Sequence, residues 1–129
     1  MEKIQLAVNG TLMRGLALNQ NLVRAGGVFL KEARTSANYR LWSIEDQYPA
    51  MQRDANQGSE IDLELWEIPL EGLIDVLKNE PYGLCMGKVE LQDGDWVFGI
   101  LGENFICKDR LEITQWGGWR NYQVRKQDP

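Results

Sequence analysis

The chain contains no histidine. That removes Ser–His and Cys–His nucleophile pairs, histidine general bases and histidine metal ligands. Any acid–base chemistry therefore falls to Asp, Glu, Lys, Tyr, Cys or a bound water. Among the carboxylates, Glu80 stands at an element boundary, directly before Pro81. A glutamate partly buried at such a boundary has its pKa raised into the range of a general base. An exposed glutamate at a helix end fits the same position. Glu103 follows Gly102 and an apolar stretch, and either faces a cleft or pairs with an arginine. Asp93 and Asp95 have the spacing of two metal ligands, but with Gly94 between them a hairpin turn is sufficient. No metal or cofactor is implied.

The arginines complement these acids. Arg14, Arg40 and Arg120 lie in aromatic or glycine-rich settings. Arginine offers a planar fork that matches a carboxylate in two hydrogen bonds. With Gly117-Gly118 they would make a small-anion site if the fold brings them together; singly, each also fits a packing or surface role. The strongest backbone candidate is the loop Asn9-Gly10-Thr11-Leu12, directly after the apolar segment Ile4–Val8. Gly10 lacks a Cβ, so a ligand can approach the backbone there, and the Gly10 and Thr11 N–H groups can point outward from a strand end. A plain turn would use the same residues.

At 129 residues the chain is one domain, with 43% hydrophobic residues and five Trp, four Tyr and three Phe for core bulk. A net charge of −5 without a basic stripe argues against nucleic acid. No apolar run reaches a membrane span, and Met1-Glu2-Lys3 lacks a signal-peptide pattern. Two cysteines, Cys85 and Cys107, make no disulfide framework, which suits reducing cytoplasm.

The elements that must position these groups follow from periodicity. Residues 3–8 predict a strand. Asn19 is placed to cap a helix from Gln20 that Gly26-Gly27 ends. Val28–Leu30 predicts a short strand, and Tyr39–Ile44 a strand with Tyr39, Leu41 and Ser43 on one face. Residues 45–59 predict a long loop. Ile61–Ile68 predicts a strand whose Asp62, Glu64 and Trp66 face is expected in water, with a pocket lining as the less favoured alternative. Leu70, Leu73, Ile74 and Leu77 recur at helical spacing over 70–78. Cys85–Leu91 and Trp96–Leu101 predict a hairpin. The end, Ile113–Tyr122, is aromatic and glycine-rich, and residues 125–129 are expected as a tail. The order predicts an α+β domain over 1–124, with a mixed sheet curling toward a barrel and two helices packed on it.

Several stretches resemble one family in the same order along the chain: Val8–Leu12 with Leu18–Leu22, Thr35–Leu41, Ile61–Pro69, Gly87–Gly94 and Ile113–Arg120. Together they are similar to the C-terminal domain of allophanate hydrolase. The resemblance implies a γ-glutamylcyclotransferase-like fold, a small mixed β-barrel with flanking short helices and a pocket at one end. In that wider group a Tyr-Gly-Ser-Leu loop supplies backbone donors to substrate, and Asn9-Gly10-Thr11-Leu12 takes the matching place. A glutamate after a helix is the cyclotransferases' acid–base group, and Leu73–Glu80 is similar to that stretch, so Glu80 is the implied catalytic residue. In allophanate hydrolases the domain follows an amidase and is thought to decarboxylate the amidase product with a histidine after the first strand's glycine. Thr11 holds that position here. The amidase machinery does not fit in 129 residues, so a stand-alone relative is expected.

Three functions follow as expectations. The first is a domain that binds a small carboxylate or amide through Asn9, Gly10, Thr11, Leu12, Tyr39, Arg40, Gly117, Gly118 and Arg120, assisting a separate amidase in urea or amide nitrogen metabolism. The second is an acyl-transfer enzyme of the cyclotransferase type, with Glu80 as acid–base group and the Gly10 and Thr11 N–H groups as oxyanion donors. The third is a non-catalytic module whose Trp116 and Trp119 make a homodimer or partner surface.

Overall fold

A computed structural model describes residues 2–127. Its elements run β1 (Lys3–Val8), α1 (Asn19–Arg24), β2 (Val28–Arg34), β3 (Tyr39–Ile44), β4 (Tyr48–Arg53), β5 (Asp62–Pro69), α2 (Leu70–Lys78), β6 (Leu84–Glu90), β7 (Trp96–Gly102), α3 (Asn104–Cys107), β8 (Leu111–Glu112) and α4 (Trp119–Arg125). They form a five-stranded sheet, β2-β5-β1-β7-β6, and a three-stranded sheet, β4-β3-β8. β1 runs antiparallel to β5 and parallel to β7, so the larger sheet is mixed. One core cluster draws Leu6, Val8, Leu63 and Leu65 from the larger sheet and Tyr39, Leu41 and Met51 from the smaller. The sheets meet where Gly102 of β7 backs onto Ala50 of β4 and Gln52 Nε2 donates to the Gly102 carbonyl. This is the α+β architecture expected, with two sheets around one core rather than one closed barrel. No described helix is long and apolar enough to cross a membrane.

β5 lies between β1 and β2, so both of its edges are paired, and side chains on both of its faces are buried. Only Asp62 of its expected wet face is exposed; Glu64 and Trp66 are buried. Alternation alone suggested a half-solvated strand, but a central strand under helices reads differently. In α2 the buried residues are Gly72, Leu73 and Val76, while Leu70 and Ile74 are exposed, so the inward stripe is rotated from the expected one. Gly72 is where α2 crosses the Ala25 carbonyl; a Cβ there would lie 2.0 Å from that oxygen.

The expected 45–59 loop contains β4, which pairs antiparallel with β3 from Ile44↔Tyr48 to Tyr39↔Arg53. Pro49 disguised it; the strand tolerates proline because β4 is an edge. The β3–β4 turn puts Glu45 at φ 55° and Asp46 at φ 58°, a left-handed pair without glycine. Asp46 is held there by Ser43 Oγ, 2.9 Å away, and by the Tyr122 hydroxyl, which donates to the same carboxylate oxygen.

Asn19 is not a cap. It opens α1 as a buried residue, and its Nδ2 donates to the Leu12 carbonyl at 2.8 Å. The glycine-rich end is also folded: Trp119 and Tyr122 of α4 are buried and Trp116 packs against the core, so the expected aromatic interaction surface is absent from this end. α4 continues to Arg125, the first residue of the expected tail. Asp128 and Pro129 lie outside the described residues.

Candidate active-site cleft

β1 ends at Val8, and Asn9 turns the chain by donating from Nδ2 to the Ile100 carbonyl of β7 at 3.1 Å. Gly10 then passes under Pro49. A Cβ at residue 10 would lie 2.5 Å from the proline Cδ, so only glycine lets β4 close over this loop. The glycine does not use its conformational freedom here; its φ is not positive. The Leu18 N–H donates to the Thr11 carbonyl at 3.0 Å and Asn19 holds the Leu12 carbonyl. These bonds pin the loop by its oxygens. The Gly10 and Thr11 N–H groups have no acceptor among the described residues.

Glu80 reaches the same place from the other side. α2 stops at Lys78, and Pro81 forbids its continuation, since proline lacks an N–H and keeps the preceding residue out of helical conformation. Loop and glutamate line one cleft of about 290 Å³, at the small end of ligand cavities. Val8, Leu12, Leu18, Pro81, Leu84 and Ile100 make its walls, and Gln47, Tyr48 and Pro49 its rim. The Glu80 carboxylate has no hydrogen bond or ion pair among the described residues. Burial alone raises its pKa to about 7. Half-buried Tyr48 is also pushed up, first by burial, with Glu45 and Glu80 adding to the rise and Arg110 opposing it. A carboxyl group that shares its proton near neutrality, across a cleft from unpaired N–H donors, can pass a proton while those donors hold a carbonyl oxygen.

The other expected site residues lie elsewhere. Arg40 grips Glu112 with two hydrogen bonds of 2.9 and 2.6 Å and Asp54 with one of 3.1 Å. Tyr39 is fully buried in the core, and its hydroxyl accepts from the Glu90 N–H at 2.9 Å. The Gly117 carbonyl accepts from the Asp62 N–H, and Gly118 packs on the Asp62 side chain. Arg120 joins Arg14 on the buried Glu64. There Glu64 Oε1 accepts from the Arg14 N–H at 3.0 Å and Trp66 Nε1 at 3.1 Å, and Oε2 from Arg14 Nε at 3.2 Å and Arg120 at 3.1 Å. Burial would raise the Glu64 pKa, but these four donors outweigh it and hold the group below the usual carboxylate range. Tyr39, Arg40, Gly117, Gly118 and Arg120 thus do not join the cleft, and the expected small-anion cluster does not form around it. The arginines of the expected cluster are each committed to a protein carboxylate.

Sequence reasoning missed Gln47 and Tyr48. The apolar run Tyr48-Pro49-Ala50-Met51 was the available signal. Asp93 turns out to support its own hairpin by accepting from the Asp95 N–H at 2.9 Å, and no cluster able to hold a metal exists among the described residues. Neither thiol is activated: burial pushes Cys107 up to about 11, and Cys85 is also raised by burial, with Glu103 adding to it.

The arrangement of sheets and helices is a γ-glutamylcyclotransferase-like fold. A solved γ-glutamyl cyclotransferase shares the fold with a TM-score of 0.52, at 15% identity over 78% of this chain and 67% of that one. More specifically, residues 4–124 match the allophanate hydrolase C-terminal domain, and the chain belongs to that family. A solved protein described as specific to uropathogenic E. coli is 49% identical, with a TM-score of 0.94 over 96% of this chain and 98% of that one. Allophanate hydrolase of Kluyveromyces lactis is 30% identical, with a TM-score of 0.92 over 98% of this chain and 22% of that one. Urea amidolyase of Lachancea kluyveri is 30% identical over 128 residues, which cover 94% of this chain. The chain spans 7% of that curated relative, so these homologous regions are domains of much larger enzymes.

Proposed function

We propose that the cleft binds a small amide and that Glu80 moves a proton to or from its nitrogen while the Gly10 and Thr11 N–H groups hold the carbonyl oxygen. The observation that carries this is the meeting of a partnerless, half-protonated carboxyl with two unpaired backbone donors in one apolar cleft. In an intramolecular acyl transfer, Glu80 takes the proton of an attacking amine. The amine nitrogen bonds to the amide carbon, the oxygen becomes anionic toward Gly10 and Thr11, and Glu80 returns the proton to the departing nitrogen. Proton transfer by a positioned side chain contributes about 10²–10⁴-fold. Turnover of a panel of uncharged small amides is therefore expected to fall about 100-fold or more in Glu80→Gln with binding retained. Undiminished turnover in that variant would overturn the assignment.

A second role rests on the size of the relatives. Urea amidolyase and allophanate hydrolase carry this domain inside far longer chains. In this reading the domain assists a separate amidase in urea or amide nitrogen metabolism. Adding it to an allophanate hydrolase lacking this region should then raise product release. An unchanged rate counts against the role.

A further inference from the structure

We propose that the cleft selects against anions: its ligand presents N–H groups to Glu80 and an apolar body to Leu18, Leu84 and Ile100, and carries no carboxylate. This rests on the reading of the cleft as a ligand site. Glu80 is the one charged side chain lining it among the described residues. Among the described residues no lysine or arginine lines it. Arg40 is committed to Glu112 and Asp54, and Arg14 and Arg120 to Glu64, and none of the three lines the cleft. Arg110, whose charge is felt at the rim residue Tyr48, is paired with Glu45 at 3.1 Å.

A carboxylate entering the cleft would leave water for walls that cannot solvate it. It would gain the loop N–H groups but face Glu80, a like charge, at close range. An amide gains the same N–H groups through its carbonyl oxygen and offers its own N–H to Glu80. An amine offers a cation to that carboxylate. An oxyanion formed during acyl transfer is not excluded by this argument. It appears only after the neutral ligand is seated, directly against the two donors, and it is transient.

Three probes of one size separate the charges: butyramide, butylamine and butyrate. Titrated into the isotopically labelled protein, butyramide and butylamine are expected to shift the amide resonances of Gly10 and Thr11. Butyrate should bind at least about tenfold more weakly. Gln47→Arg places a cation on the exposed rim without touching the core, and should raise butyrate affinity several-fold relative to butyramide. Butyrate binding as tightly as butyramide, with shifts still at Gly10 and Thr11, would overturn the selectivity and leave the ligand site standing. A folded Gln47→Arg with no gain for butyrate would overturn the electrostatic argument. If none of the three probes moves these resonances, the ligand site and the selectivity fall together.

Discussion

Glu64 and Glu80 are two carboxylates withdrawn from solvent in one small domain, and their surroundings could hardly differ more. Glu64 accepts four hydrogen bonds, two of them from arginine side chains, and its pKa lies below the usual range. Glu80 accepts none among the described residues, and its pKa is raised to about 7. Burial pushes both upward; donors reverse the push at one and are missing at the other. The difference teaches that burial of a charge does not itself mark a working group. A carboxylate saturated by the protein is a fastener, because nothing of it remains to offer. One left short of partners has kept its hydrogen-bonding capacity for something the protein does not supply.

The comparison can be broken first at Glu64. Glu64→Ala strips four donors of their common acceptor and should destabilise the fold by about 3 kcal/mol, tempered because the two arginines are partly exposed and can rehydrate. Urea unfolding measures this. A loss under 1 kcal/mol would mean that Glu64 is no fastener.

Glu80 should behave in the opposite sense. Its folded pKa is raised, so the native state binds more protons than the unfolded state between about 4.5 and 7. Its contribution is fully present below that window and is lost as pH rises through 7. The native protein should lose on the order of 2–3 kcal/mol between pH 4.5 and 8 from this group. In Glu80→Gln the slope should flatten, and above pH 7 the variant should be the more stable. Unfolding at pH 5 and pH 8 decides it; parallel slopes in both proteins would show that Glu80 ionises normally.

Smaller changes sharpen the contrast. Arg120→Ala removes one of the four donors from Glu64 and should cost about 1 kcal/mol, with the Glu64 pKa rising toward its ordinary value. Carboxylate titration by carbon-detected NMR would report that rise. Tyr122→Phe deletes the hydroxyl that steadies Asp46 in its left-handed turn and should cost about 1 kcal/mol. It should also raise the Asp46 pKa, because the Tyr122 bond is the leading cause of its depression. Unchanged Glu64 and Asp46 titrations in the two variants would refute these bonds as the source.

The two glutamates were unequally legible in the sequence. Glu80 carried a local mark, since Pro81 breaks a helix whatever surrounds it, and the family resemblance pointed to it as well. Glu64 looked wet because alternation describes one strand, while its burial is decided by β2 and by Arg14 arriving from distant positions. The loop Asn9–Leu12 was visible as a strand followed by a turn, but the reason for Gly10 was not. That reason is Pro49, on a strand whose own proline hid it from propensity arguments. The arginines failed for a related cause: composition identifies a cation but not the carboxylate that will claim it. Local punctuation, the order of elements and the α+β class were therefore available from sequence, whereas side-chain partnership depended on contacts across the chain.

The Glu45-Asp46 turn carries one more consequence, for the order in which the protein can be completed. Asp46 begins the segment that forms the cleft rim, and its hydroxyl partner Tyr122 lies 76 residues further on. During synthesis the glycine loop, β4 and Glu80 all leave the ribosome before α4 exists. Until α4 docks, the left-handed pair keeps Ser43 on Asp46 and Arg110 on Glu45 but lacks the Tyr122 hydroxyl. The turn that leads into the cleft rim is therefore completed by a contact from the last helix of the chain.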